Sequence, residues 1–116
     1  MPTPTEITLH QKSKILEIAF DDETRYQFPF EFLRVYSPSA EVRGHGPGQE
    51  VLQTGKQNVS LTAVEPSGSY ALKLTFDDGH DSGLYTWNYL LELGKNQDAR
   101  WQEYLQLLEE AGESRT

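Results

Sequence analysis

Asp77-Asp78-Gly79-His80-Asp81 sets three carboxylates and an imidazole within five residues, the donor types that hold a divalent cation. The spacing does not make a calcium-binding EF-hand: counted from Asp77, the position that needs a glutamate falls on Asn88. A hairpin turn explains the same residues without a ligand, because Asp and Gly both tolerate positive φ. Gly44-His45-Gly46-Pro47-Gly48 is the second candidate. It is not a phosphate loop, because six residues separate Gly48 from Gly55-Lys56, and Gln57 stands where a magnesium-binding hydroxyl belongs. It reads as a flexible loop or as a recognition loop with Arg43 and His45 as its polar contacts. The three histidines, His10, His45 and His80, do not form the helical pair of the zinc proteases. His45, His80 and Asp81 supply the types of a two-histidine, one-carboxylate iron site, and they carry a metal- or small-molecule-binding alternative. No Gly-x-Ser-x-Gly element supports serine hydrolysis.

Short elements must position these residues. Leu16, Ile18 and Phe20 alternate as on a strand, and Asp21 to Thr24 form a turn. Tyr26, Phe28 and Phe30 alternate on a return strand that Pro29 confines to an edge or an end. Glu31 to Tyr36 make a helical turn that Pro38 stops. Residues 37–57 read as a long loop. Val59 to Val64 form a strand, and Tyr70, Leu72, Leu74 and Phe76 alternate on the clearest strand of the chain. Thr86 to Leu93 form a short helix stopped by Gly94, and Asp98 caps a last helix over 97–111. Trp101, Tyr104, Leu105 and Leu108 share one face of that helix.

Ile18-Ala19-Phe20-Asp21-Asp22 and Leu74-Thr75-Phe76-Asp77-Asp78 lie 56 residues apart, each a strand running into Phe-Asp-Asp. The expected fold is therefore α+β: a small single domain over 6–112, built of two β-hairpin–helix units with an antiparallel or mixed sheet and a C-terminal amphipathic helix. Residues 1–5 and 113–116 read as disordered tails.

A chain of 116 residues with 36% apolar content holds one domain with a real core. It has no cysteine, which removes disulfides, thiolate metal sites and cysteine nucleophiles and fits a cytoplasmic location. No apolar run reaches the length of a membrane span, and Met1 to Glu6 show no secretory signal. The net charge is −8. Beyond residue 58, ten acidic residues stand against four basic ones. That balance argues against nucleic acid and anionic membrane as partners, since both require Lys and Arg.

Four segments carry a family resemblance. They are Leu33-Arg34-Val35, the run from Ser37 to His45, Glu65-Pro66-x-Gly68-x-Tyr70-Ala71-Leu72, and the block from Asp77 to Leu90 that includes Asp-Gly-His-Asp-x-Gly-x-Tyr-x-Trp. Over about residues 6–94 the chain resembles the gamma-butyrobetaine hydroxylase-like N-terminal domain, formerly a domain of unknown function. In the hydroxylases this domain precedes a separate oxygenase domain and holds a structural zinc through a Cys-x-Cys-x-x-Cys run and a later histidine. The resemblance places that run on Ser37, Ser39 and Val42 and keeps only His80. Serine and valine are not zinc ligands, so the resemblance implies a lost zinc site, no inherited hydroxylase activity and no cofactor. With no metal bound, His80→Ala is expected to leave stability nearly unchanged. The family also includes stand-alone bacterial proteins and domains fused to ATPases that carry iron–sulfur clusters.

These readings converge on a non-enzymatic cytoplasmic accessory or adaptor domain that binds another protein, with iron–sulfur assembly as the context the resemblance implies. The expected contact surface comprises Arg43, His45, Asp78, His80 and Asp81.

Overall fold

The alternation of Leu16, Ile18 and Phe20 belongs to the central strand β2 (Ile15–Phe20) of an antiparallel sheet. Its neighbours are β1 (Pro4–His10) and β3 (Arg25–Pro29), with Ile18 opposite both Ile7 and Tyr26. The computed structural model describes residues 2–44 and 50–116, so His45, Gly46 and Gly48 lie outside the described residues. A second antiparallel sheet has the same plan. Its central strand β5 (Ala71–Phe76) lies between β4 (Leu61–Ser67) and β6 (Leu84–Thr86). Each sheet runs directly into a helix: β3 into α1 (Phe30–Val35) and β6 into α3 (Trp87–Lys95). The chain is α+β, built as expected of two hairpin–helix units, each widened by one further strand to a three-stranded sheet.

The two copies share a turn as well as a strand. The Phe20 N–H donates to Thr24 O at 2.9 Å, and the Phe76 N–H donates to His80 O at 2.9 Å. In both, the third residue after the phenylalanine is left-handed: Glu23 at φ 70° and Gly79 at φ 86°. Glycine suits that backbone, and glutamate is strained in it.

Leu16, Ile18 and Phe28 from the first sheet, and Leu72, Leu74 and Tyr85 from the second, join one apolar core with Leu90 and Leu93 of α3. Such a core requires the sheets to face each other's helices rather than water. The last helix, α4 (Gln97–Ala111), docks on its own domain, with Tyr104 and Leu108 buried against Val35 and with Trp101 and Leu105 half-buried beside them. Among the described residues no helix is long and apolar enough to cross a membrane.

Several sequence expectations need correction. The expected N-terminal tail is structured from Thr3, whose N–H and hydroxyl both donate to the Asp21 carboxylate at 3.1 Å. β1 escapes notice in the sequence because its faces are poorly contrasted: its outward residues are Glu6, Thr8 and His10, and Ile7 is itself 40% exposed. The C-terminal tail is docked too. Gly55 N–H donates to Ser114 O and Gln57 N–H to Arg115 O, and the Arg115 side chain pairs with Glu31. The 37–57 loop contains a short helix, α2 (Ala40–Arg43), whose Glu41 N–H is accepted by the Ser39 hydroxyl. β4 begins at Leu61 and runs through Pro66, which an edge strand tolerates. Tyr70 is not part of β5 and is 54% exposed.

Gly94 does not stop α3, which continues to Lys95. A Cβ at Gly94 would sit 2.6 Å from Cγ of Tyr26, so this glycine lets the helix close on the first sheet. Asp98 is not the cap of α4. Asn96 holds that position, and Asp98 lies in the first turn, where a carboxylate still faces the positive end of the helix dipole.

The paired turns generate a test. Glu23→Gly gives the first turn the residue that the second already has. Relief of the left-handed strain should exceed the added chain entropy, and urea unfolding should show a gain of about 0.5–1 kcal/mol. A loss would mean that Glu23 is held in place by contacts worth more than the strain.

Candidate functional site

Arg34 is a charged residue inside the apolar run from Phe30 to Val35, and α1 carries it to a position only 7% exposed. A guanidinium so placed needs an anionic partner. Asp78, on the turn after β5, supplies it: Arg34 Nε donates to Oδ2 at 2.8 Å, and Lys56 Nζ donates to the same oxygen at 2.8 Å. Arg34 Nη1 donates to Gln53 Oε1 at 2.9 Å. Burial by itself would raise the Asp78 pKa, but the hydrogen bonds from Lys56 and Arg34 outweigh it and hold the pKa down at about 2.

The other Asp78 oxygen accepts the His80 N–H at 3.2 Å, and the left-handed Gly79 between them closes the turn. This turn drives the His80 ring into the domain, where the residue is 5% exposed. Nδ1 lies 3.1 Å from Oε2 of Glu41, and Nε2 lies 2.8 Å from Oγ of Ser37. A carboxylate only accepts, so Nδ1 carries the proton and Nε2 accepts from the Ser37 hydroxyl. Burial, and then the Arg34 charge, push the His80 pKa below its ordinary 6.5, while Glu41 pulls the other way. Ser37 Oγ also accepts the Ser39 N–H at 3.3 Å, and the Ser39 and Ser82 hydroxyls pair at 2.6 Å. Gly83 is the residue that fits beside them, since a Cβ there would lie 2.5 Å from Ser37 Oγ.

Ser37, His80 and Glu41 repeat the order of contacts of a hydrolase triad, nucleophile to imidazole to carboxylate. Ser37, however, is 0% exposed, so no substrate carbonyl reaches its oxygen in this arrangement. The cluster ties the segment 37–41 to the turn 78–83 as a polar clasp.

The structure divides the expected surface. Asp78 and His80 belong to the clasp. Asp81 is exposed beside it and, among the described residues, makes no side-chain hydrogen bond. Arg43 is exposed elsewhere on α2, with its guanidinium 5.9 Å from the Tyr89 ring centroid and Nη1 donating to the Tyr89 hydroxyl at 3.2 Å. Arg43 also borders a groove of about 670 Å³ that runs along α4. Sequence reasoning missed Arg34, Glu41, Lys56 and Gln53. Arg34 alone carried a signal, as a charge within an aromatic helical turn.

Residues 7–91 match the family model described as gamma-butyrobetaine hydroxylase-like, N-terminal. The chain belongs to that family. A protein with an NMR solution structure is 56% identical to it, with a TM-score of 0.86 over 99% of this chain and 90% of that one. A second NMR solution structure is 50% identical, with a TM-score of 0.85 over 99% of this chain and 86% of that one. The crystal structure of a protein of unknown function from Acidithiobacillus ferrooxidans, placed in the DUF971 family, is 37% identical, with a TM-score of 0.67 over 79% of this chain and 92% of that one. Among curated proteins none matches.

Of the positions that the family resemblance assigns to zinc, Ser37, Ser39 and His80 meet in this fold, but the donor set does not fit the ion. Ser37 and Ser39 offer neutral hydroxyls, Val42 offers none, and both nitrogens of His80 are taken by Ser37 and Glu41. A hydrogen-bonded clasp stands where the family motif places a metal.

The clasp overturns the expectation that His80→Ala would leave stability nearly unchanged. Removing the imidazole leaves the Ser37 hydroxyl buried without its acceptor, which should cost about 1–3 kcal/mol in chemical unfolding at pH 8. An unchanged midpoint would show that the Ser37–His80 bond contributes nothing. Acid titration probes the same cluster. With its folded pKa below 6.5, His80 is neutral in the fold while the unfolded chain takes up a proton, so stability should fall as pH drops below 6.5. Asp78 adds a second loss as pH falls from its ordinary 3.8 toward about 2. Asp78→Asn should shrink the second phase, to which Glu17 and Asp22 also contribute, and leave the first, read as unfolding free energy against pH.

Proposed function

We propose that this chain is a non-enzymatic accessory domain that binds another protein and works in the cytoplasm. One observation carries this reading. The polar groups at the clasp are bonded within the domain, Ser37 to the His80 ring and Asp78 to the His80 N–H and to Arg34, with Ser37 fully buried. A ligand or metal site using His45, His80 and Asp81 would need a free ring nitrogen on His80, and the fold commits both. The acidity of the chain, net −8, further favours a protein over a nucleic acid. Within the family, domains fused to ATPases with iron–sulfur clusters make a protein of that kind the first partner to examine. Having no cysteine, this chain would contact such a protein rather than hold its cluster.

The test is capture on immobilised full-length chain from native lysate of the source cell, read by quantitative mass spectrometry. A protein retained in near-equimolar amount, and lost when free chain competes, is the expected result. Absence of any such protein, together with a saturable shift of the His80 ring resonances by a metal ion or small molecule, would replace this reading with the ligand-binding one.

A further inference from the structure

The groove along α4 is unlike the clasp in being open and largely apolar. Its α4 wall presents Glu103, Tyr104, Leu107 and Glu110, which the helix brings to one face by their three- and four-residue spacing. The facing wall comes from the end of α1, from α2 and from the extended segment after it, with Val42, Val51 and Leu52. Val51 is 54% exposed and Leu107 is 44% exposed, although both belong to the same concavity. Apolar surface gathered in a groove of about 670 Å³ is the setting in which an anchoring side chain is buried on binding.

The charges of the lining select the occupant. Of its two arginines, Arg100 pairs with Glu92 and lies 5.5 Å from the Tyr36 ring centroid, whereas Arg43 lies over Tyr89 and forms no ion pair among the described residues. Glu103 and Glu110 form no ion pair among the described residues, and Glu50 adds a third carboxylate to the lining. The groove is therefore apolar at its base and negative along its α4 wall, with the charge of Arg43 at its α2 end. A second copy of this chain, with net charge −8, is repelled by such a surface. Nucleic acid and anionic lipid are repelled for the same reason.

We infer that this groove seats a basic peptide segment of a partner protein, one aliphatic side chain lying between Val51 and Leu107 and flanking Lys or Arg residues facing Glu103 and Glu110. The inference rests on the accessory-domain reading and names the chemistry of its partner.

The probe is a synthetic amidated peptide of alternating Leu and Lys pairs, with the same peptide bearing Glu for Lys as its control. Both are titrated into isotope-labelled full-length chain and followed by amide NMR shifts. The Lys peptide should give saturable shifts centred on Val51, Glu103 and Leu107, weakening as salt rises. Glu103→Lys/Glu110→Lys should weaken it about tenfold or more. The same charge change placed on the sheets, Glu6→Lys/Glu65→Lys, should weaken it by less than about threefold. Shifts scattered over the sheets, equal loss in both double variants, or equal binding of the Glu peptide would overturn the assignment. A dimer in sedimentation that buries Leu107 would give the groove to a second copy instead. If wild type and Glu103→Lys/Glu110→Lys retain the same lysate partner equally, the accessory reading stands and the groove falls as its seat. If wild type retains none, that reading falls, and the peptide titration still decides the groove.

Discussion

The ion pair between Arg34 and Asp78 joins the two halves of the molecule, and the placement of the other polar groups depends on it. Arg34 belongs to the helix that ends the first unit, and Asp78 to the turn at the centre of the second, with 2.8 Å between Nε and Oδ2. Removing either partner would leave the other charge in a poorly hydrated position, so the halves are held to one relative placement rather than to a range of them. Lys56 shares the same oxygen, and the second carboxylate oxygen orients the backbone that aims His80 inward. The Ser37–His80–Glu41 chain continues from the turn so oriented.

The internal repeat explains why this junction is one-sided. Both copies have the same three-stranded sheet, the same Phe-Asp-Asp ending and the same hydrogen-bonded turn. In the first copy Asp21 receives Thr3 and Asp22 receives Thr24, so its carboxylates stabilise the local chain at the surface. In the second copy Asp77 receives the Ser60 N–H, while Asp78 reaches across to Arg34 and Lys56. One turn design thus serves as a surface closure in one place and as the junction in the other. What differs is what faces it. The helix of the first unit presents the buried cation, whereas the second unit continues into α3 and α4, whose faces pack on the core and on Val35.

The sequence made the central strands, the α+β class, the repeat and the bounds of α4 legible, because period-2 and period-3.6 patterns depend on residue type alone. β1 was not legible, since an edge strand with polar outward residues and an exposed Ile7 carries little contrast. Gly94 was misread for a physical reason. Glycine ends helices through its backbone freedom, but here its use is the missing side chain, which admits the Tyr26 ring, and no local pattern separates the two roles. His80 and Asp78 stood out by type. Their partners Arg34, Glu41 and Lys56 lie 22–44 residues away along the chain, a separation that only the fold closes.

The clasp and the groove share a wall through Gln53. Its Oε1 accepts from Arg34, its Nε2 donates to Val51 O at 2.9 Å, and its backbone carbonyl accepts the Tyr104 hydroxyl of α4 at 2.8 Å. Gln53 is 8% exposed, so these bonds compete little with water. The segment that forms one side of the groove is thereby tied to the buried ion pair at one end and to α4 at the other. Tyr36 and Tyr89 extend the same logic along α1, the Tyr89 hydroxyl donating to Tyr36 O and the Tyr36 hydroxyl to Arg100 O, each at 2.6 Å. A groove whose walls are fixed in this way loses little conformational freedom when it is filled, which favours binding to a preformed surface over folding around a partner. On the proposed reading the polar cluster acts through shape: by way of Gln53 it holds the wall of the groove in place.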